Sequence, residues 1–65
     1  MGSNAAELSS LSTALDEVTR RVTDHAEAAH RARDEEAAKE LFAVERSLTS
    51  ANRRLARLAK ALGGR

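Results

Sequence analysis

The sequence predicts an all-α protein, and three observations support this fold class. The chain has 65 residues and contains neither proline nor cysteine. Fourteen alanines and eight leucines stand beside three valines, one phenylalanine and no isoleucine, so residues that favour sheets are scarce. Apolar residues recur at spacings of three and four, which is the repeat of amphipathic helices. We expect a two-helix antiparallel coiled-coil hairpin that pairs with another copy into a four-helix bundle.

The first helix is predicted over about residues 5–31. Asn4, followed by Glu7 three positions later, is similar to a capping box and marks the start. Residues 1–4 are expected to be a flexible N-terminus or a tag remnant. The apolar residues of this helix form a heptad pattern, here called the first seam, which consists of Leu8, Leu11, Leu15, Val18, Val22, His25, Ala29 and Ala32.

A turn is predicted over about residues 32–34. It is needed because a second seam follows the first out of phase, so one straight helix would carry its two stripes on different faces. Basic residues before the turn, and Asp34, Glu35 and Glu36 after it, suit the two helix dipoles. A continuous helix in a longer coiled coil stays open as an alternative, because neither glycine nor proline marks the turn.

The second helix is predicted over about residues 35–62, with a flexible C-terminus at 63–65. Gly63 and Gly64 could end this helix in a left-handed cap. Folding the chain back is expected to pair Leu8 with Leu58 and Val18 with Leu48 in one shared core. The second seam consists of Ala37, Leu41, Val44, Leu48, Ala51, Leu55, Leu58 and Leu62.

Self-association is expected because one hairpin of this length buries only a thin core. The residues beside each seam are small or apolar where an isolated pair would carry charges. On the first helix this flank consists of Ala5, Ser12, Thr19 and Ala26. On the second helix the predicted self-association flank consists of Phe42, Ala38, Thr49, Ala56 and Ala59. The alternative is that Phe42 only covers the turn.

Charge is unevenly distributed although the net charge is only +1. Residues 1–45 hold ten acids and five bases, whereas residues 46–65 hold six bases and no acid. We predict that Arg46, Arg53, Arg57 and Lys60, here called the basic stripe, point outward and bind a protein partner with an acidic surface. Ordinary solvation and nucleic-acid binding are the alternatives. Tyr and Trp, which stack on single-stranded bases, are absent.

No catalytic residue, cofactor site or metal site is predicted. Acid-first pairs four residues apart are interpreted as helix support; they are Asp16–Arg20, Glu17–Arg21, Glu27–Arg31 and Glu35–Lys39. His25 and His30 are five residues apart, which places them on different helix faces. Glu27 and His30 match the Glu-x-x-His element of di-iron bundles, with Glu36 or Glu40 as further carboxylates. A metal-binding bundle is therefore a distant alternative.

The sequence favours a non-enzymatic helical oligomerisation and protein–protein interaction module. Nine arginines against two lysines indicate a high-GC bacterial source, which fits a small regulatory or adaptor protein. The sequence shows neither a secretory signal nor an apolar run of about 20 residues, the length that spans a bilayer. We expect a cytoplasmic protein without membrane partners.

Overall fold

The computed structural model describes residues 4–63 and shows two helices joined by a short turn. Helix α1 spans Ala5–Arg31 and helix α2 spans Glu35–Gly63. The helices pack against each other in a body of 49 × 18 × 14 Å. The predicted all-α fold with two packed helices is thereby confirmed. Of the ends predicted to be flexible, residues 1–3 and 64–65 lie outside the described residues, as does Gly64 of the predicted cap. Asn4 caps α1, and Gly63 is the last residue of α2 and has no positive φ, so Gly63 does not take the predicted left-handed conformation.

Both helices begin at a side-chain cap. Asn4 has an extended backbone, with φ −122° and ψ 163°, and its side chain accepts a hydrogen bond of 2.8 Å from the Glu7 amide. At the second start, Asp34 Oδ1 accepts a bond of 3.2 Å from the Ala37 amide. Each cap satisfies one of the amides that the first turn of a helix leaves without a partner. The two polar residues therefore fix where the helices start.

The turn is a Schellman motif built without glycine. The Arg33 amide donates to the His30 carbonyl at 3.0 Å, and the Asp34 amide donates to the Ala29 carbonyl at 2.9 Å. This bonding pattern requires a left-handed residue just past the helix end. Arg33 takes that position with φ 64°. Because Asp34 both closes this motif and caps α2, the chain reverses within three residues.

The contact between the helices is set by one row of short or polar side chains on each helix. Ser12 Oγ donates a hydrogen bond of 2.7 Å to Asn52 Oδ1. At the other end of the contact, near the turn, Ala26 and Ala38 are both buried. The inner rows are buried or half-buried and consist of Ala5, Ser12, Thr19 and Ala26 on α1, and Ala38, Glu45, Asn52 and Ala59 on α2.

The predicted shared core of the two seams is wrong in rotation. Leu11, Val18, Val44 and Leu58 are 57%, 45%, 44% and 50% exposed instead of buried. The predicted pairs, such as Leu8 with Leu58, have numbers that sum to 66. This value lies between the sum of 64 for the Ser12–Asn52 hydrogen bond and the sum of 68 for Ala5 and Gly63, where a Cβ on Gly63 would lie 3.2 Å from Ala5 Cβ. The α1 inner row has only short side chains, which allow α2 to approach it, whereas leucines at those positions would hold the axes apart.

Only half of each seam remains in the contact. Leu8 is buried, and Leu15, Val22, Leu41, Leu48 and Leu55 are half-buried beside the inner rows. Each seam consists of two rows, and the contact uses one of these rows together with the inner row. Successive residues are about 100° apart around an α-helix, so exchanging one of two rows for the next residue's row turns the centre of the stripe by about 50°. Each seam therefore points about 50° away from the other helix.

Neither helix, over residues 4–63, is long and apolar enough to cross a bilayer.

Candidate interaction surfaces

Four exposed aliphatic side chains form what we call the apolar face: Leu11 and Val18 on α1, and Val44 and Leu58 on α2. Leu11 and Val18 are one heptad apart, and Val44 and Leu58 are two heptads apart. Residues at heptad spacing line one side of a helix. Leu62, 39% exposed, extends the same surface at the end remote from the turn.

The apolar residues of both helices lie on the same side of the hairpin. On this side, Val18, Val22 and His25 of α1 line a shallow depression together with Leu41 of α2, and Arg21 lies at its edge. On the opposite side, Asp16 and Thr19 of α1 line a second depression with α2 residues, namely Thr49, Asn52, Arg53 and Ala56. The hairpin therefore has one apolar side and one polar side.

The predicted self-association flank is divided by the structure. Ala38 and Ala59 are only 2% and 7% exposed because they lie between the two helices of the same chain. Phe42 and Thr49 are half-buried, and Ala56 is exposed on the polar side. Ala38 and Ala59 therefore offer little surface to a second copy while the hairpin is intact. Self-association through the flank as a whole stays a prediction.

The basic stripe is exposed along its whole length, at Arg46, Arg53, Arg57 and Lys60. Arg46, Arg53 and Lys60 follow each other at seven-residue spacing, or about 10 Å along the helix. Arg53 lines the depression on the polar side. Within residues 4–63, no carboxylate oxygen lies within 4.0 Å of a stripe nitrogen. The stripe is therefore a row of solvated cations on the side remote from the apolar face.

The predicted acid–base pairs within the helices are not formed. In the described part of the chain, none of these four pairs brings a nitrogen within 4.0 Å of a carboxylate oxygen. An exposed ion pair contributes little because ordering two long side chains costs entropy. The ion-pair geometry that does occur joins His30 Nδ1 to Glu35 Oε1 across the turn at 3.2 Å, with both side chains largely exposed.

The residues of the metal hypothesis do not come together. His30 contacts Glu35, while His25 lies beside Val18 and Val22 on the apolar side. Among residues 4–63, no group of three or more His, Asp or Glu side chains is placed to hold a metal ion. The depressions on the outer side of α2, one lined by Ala43, Arg46, Ser47 and Ser50, are formed by a single helix.

The chain matches no protein-family model, no curated protein and no solved structure. The class of protein to which the chain belongs is therefore described from its fold and its surfaces alone. It is a helical hairpin with one apolar side and one basic stripe. Sequence reasoning found the residues of both surfaces but assigned the apolar ones to the core of a single chain. The signal that could have separated the two rows is side-chain size, because alanine, serine and threonine occupy the inner row of α1.

Proposed function

We propose that the chain is a non-enzymatic homo-oligomerisation module whose apolar face packs against that of a second copy in a four-helix bundle. The observation that carries this proposal is the direction of the seams. In a four-helix bundle each helix has two neighbours, so its apolar stripe points between them. A hairpin that works alone would point both stripes at the intrachain contact. Both seams are instead turned by about 50° away from the intrachain contact, towards the same open side of the hairpin.

The surface area of one chain supports a second copy as the occupant of the apolar face. One chain has 5157 Å² of accessible surface. A compact monomer of 7.0 kDa has about 4,000 Å². The excess of about 1,100 Å² reflects the elongated shape of the hairpin, 49 × 18 × 14 Å, which leaves room for the roughly 800 Å² that each partner contributes to a standard stable interface. A twofold dimer would cover the apolar faces of both copies at once.

The intrachain core also supports dimerisation because it is small. The buried apolar residues of the described chain are Leu8, Ala26, Ala38 and Ala59. Three of these four are alanines, whose side chains bury little apolar area. Burying one leucine or valine side chain stabilises the folded state by about 1.5–3 kcal/mol. Covering the apolar face would therefore add more apolar burial than the buried alanines supply. Pairing of two copies therefore stabilises each hairpin.

Two single substitutions on α2 test which surface self-associates. Leu58 and Ala56 are both exposed and two residues apart, one on the apolar face and the other on the predicted flank. We expect Leu58→Gln to raise the dimer dissociation constant at least about tenfold, which corresponds to about 1.4 kcal/mol. Ala56→Gln should change it less than about twofold. Sedimentation equilibrium measures both constants, and the reverse ranking would assign self-association to the flank.

We also propose that the basic stripe binds a protein partner with an acidic surface. The stripe lies away from the apolar face, so pairing of two copies would leave it accessible. Its cations have no intrachain carboxylate partner within 4.0 Å among residues 4–63. An uncompensated row of charges steers association with a surface of opposite charge.

Replacing Arg46, Arg53, Arg57 and Lys60 together by Gln tests the basic stripe. Helicity and oligomeric mass should stay nearly unchanged, because exposed charges each contribute under about 1 kcal/mol to stability. Binding of fluorescent polyglutamate should fall more than about tenfold. The control removes four cations elsewhere, at Arg20, Arg31, Arg33 and Lys39, and should retain binding. If the wild type instead prefers a DNA duplex, with an affinity that falls steeply as the salt concentration rises, the partner of the basic stripe would be nucleic acid and not an acidic protein.

A further inference from the structure

We propose that the two copies pack with their turns at opposite ends, an inference that rests on the proposed dimer. Two twofold arrangements bring the apolar faces together. In the opposite-end arrangement α1 packs against α1 of the second copy, and α2 against α2. In the same-end arrangement each α1 packs against the other copy's α2. Side-chain size, charge distribution and one pair of flanking charges favour the first.

Side-chain size changes along the apolar side of the hairpin. The end remote from the turn carries leucines, including Leu11, Leu58 and Leu62. Towards the turn, Leu41 lies beside His25, and the seam positions beyond them are Ala29, Ala32 and Ala37. With the turns together, leucine layers would meet leucine layers and alanine layers would meet alanine layers, so the helices could not stay evenly spaced. With the turns apart, long side chains meet short ones and the layers fill evenly.

Formal charge also differs between the two halves of the hairpin. Residues 16 and 48 lie near the middle of α1 and of α2. The half remote from the turn, residues 4–16 and 48–63, holds four bases and two acids. The half at the turn, residues 17–47, holds six bases and eight acids. Opposite-end packing places each +2 half beside a −2 half, whereas same-end packing places like charges together.

Arg54 and Glu40 flank the apolar side of α2 and would meet between copies. Both are exposed; Arg54 is four residues before Leu58 and Glu40 four before Val44. In the opposite-end arrangement, with its centre at Leu48, Arg54 lies level with residue 42 of the second copy. Glu40 of that copy is then about 3 Å away along the axis, at 1.5 Å per residue. Within one chain the two residues are about 21 Å apart along the helix, so they cannot pair there.

Distances between spin labels on the two copies test the arrangement. The chain has no cysteine, so single-cysteine variants label one site only. Arg33→Cys puts the label at the turn, 17 residues from the middle. The label distance between copies should be about 50 Å for opposite ends and under about 25 Å for same ends. Ser50→Cys, two residues from the middle, is the control, because both arrangements predict a short distance there.

Reversing the charge of Arg54 gives a second test of the arrangement, with dimer stability as the readout. Arg54→Glu should weaken the dimer at least about threefold by placing two carboxylates together. Adding Glu40→Arg should restore dimerisation, whereas adding Glu7→Arg should not. A dimer with a short distance at residue 33 and rescue by Glu7→Arg would overturn the opposite-end arrangement while the proposed function stands. A mass of 7 kDa for the wild type would instead overturn the proposed dimer, and the arrangement with it.

Discussion

Arg33 holds the one backbone conformation among residues 4–63 that is costly for its residue type. Its φ of 64° lies in the left-handed region, where a side chain with a Cβ costs about 1–2 kcal/mol. The cost is offset because this conformation lets the Arg33 and Asp34 amides satisfy carbonyls at the end of α1. A single strained residue thus closes one helix and positions the cap of the next.

Substitution of this residue by glycine should stabilise the hairpin. Arg33→Gly removes the left-handed strain, while the greater freedom of glycine in the unfolded chain takes back part of the gain. The expected net effect is an increase of about 0.5–1 kcal/mol in the free energy of unfolding, measured by urea denaturation at fixed protein concentration. Arg33→Ala is the control: it removes the same charge but keeps the strain. An equal gain in both variants would mean that charge, and not backbone strain, decides stability at the turn.

At the scale of the helices, packing depends on the inner rows of short side chains. Ala26 is 0% exposed and Ala38 is 2% exposed, and both lie near the turn. At positions like these an added methylene meets the other helix. The inner rows therefore set both the separation and the rotation of α1 and α2.

Enlarging one alanine tests this rotation. Ala26→Leu should lower the free energy of unfolding by about 1–3 kcal/mol, because the larger side chain overpacks the contact. Ala28→Leu, two residues further on the exposed side of α1, should change it by less than about 0.5 kcal/mol. Urea denaturation measures both. Equal effects would show that Ala26 does not face α2.

The helices were predictable from sequence because their signals are local. Asn4 and Asp34 each need only the amide three residues later to act as caps, so the sequence alone identifies both starts. The rotation of each helix was not predictable in the same way. Leu11 and Leu15 belong to one apolar stripe, and the stripe does not reveal whether the neighbour it faces is the same chain or another copy. Residue size along Ser12, Thr19 and Ala26 carries that information.

At the scale of the whole molecule, one hairpin leaves half of each seam exposed. Pairing of two copies would make the first and second seams a common core, with the inner rows holding each hairpin together. The seams predicted from sequence would then be correct for the assembly and wrong for the single chain. The basic stripe, on the other side, would remain at the surface of each copy.

Contacts between the valine methyl groups of two copies test the central proposal most directly. The chain has three valines, and Val18 and Val44 belong to the apolar face, while Phe42 does not. Isotope-filtered NOE spectra of a mixed labelled and unlabelled sample report only contacts between copies. The proposed bundle predicts intermolecular NOEs at Val18 and Val44 and none at Phe42. Intermolecular NOEs at Phe42 alone would contradict the proposed bundle. So would the absence of intermolecular NOEs at Val18, Val44 and Phe42 at millimolar protein concentration.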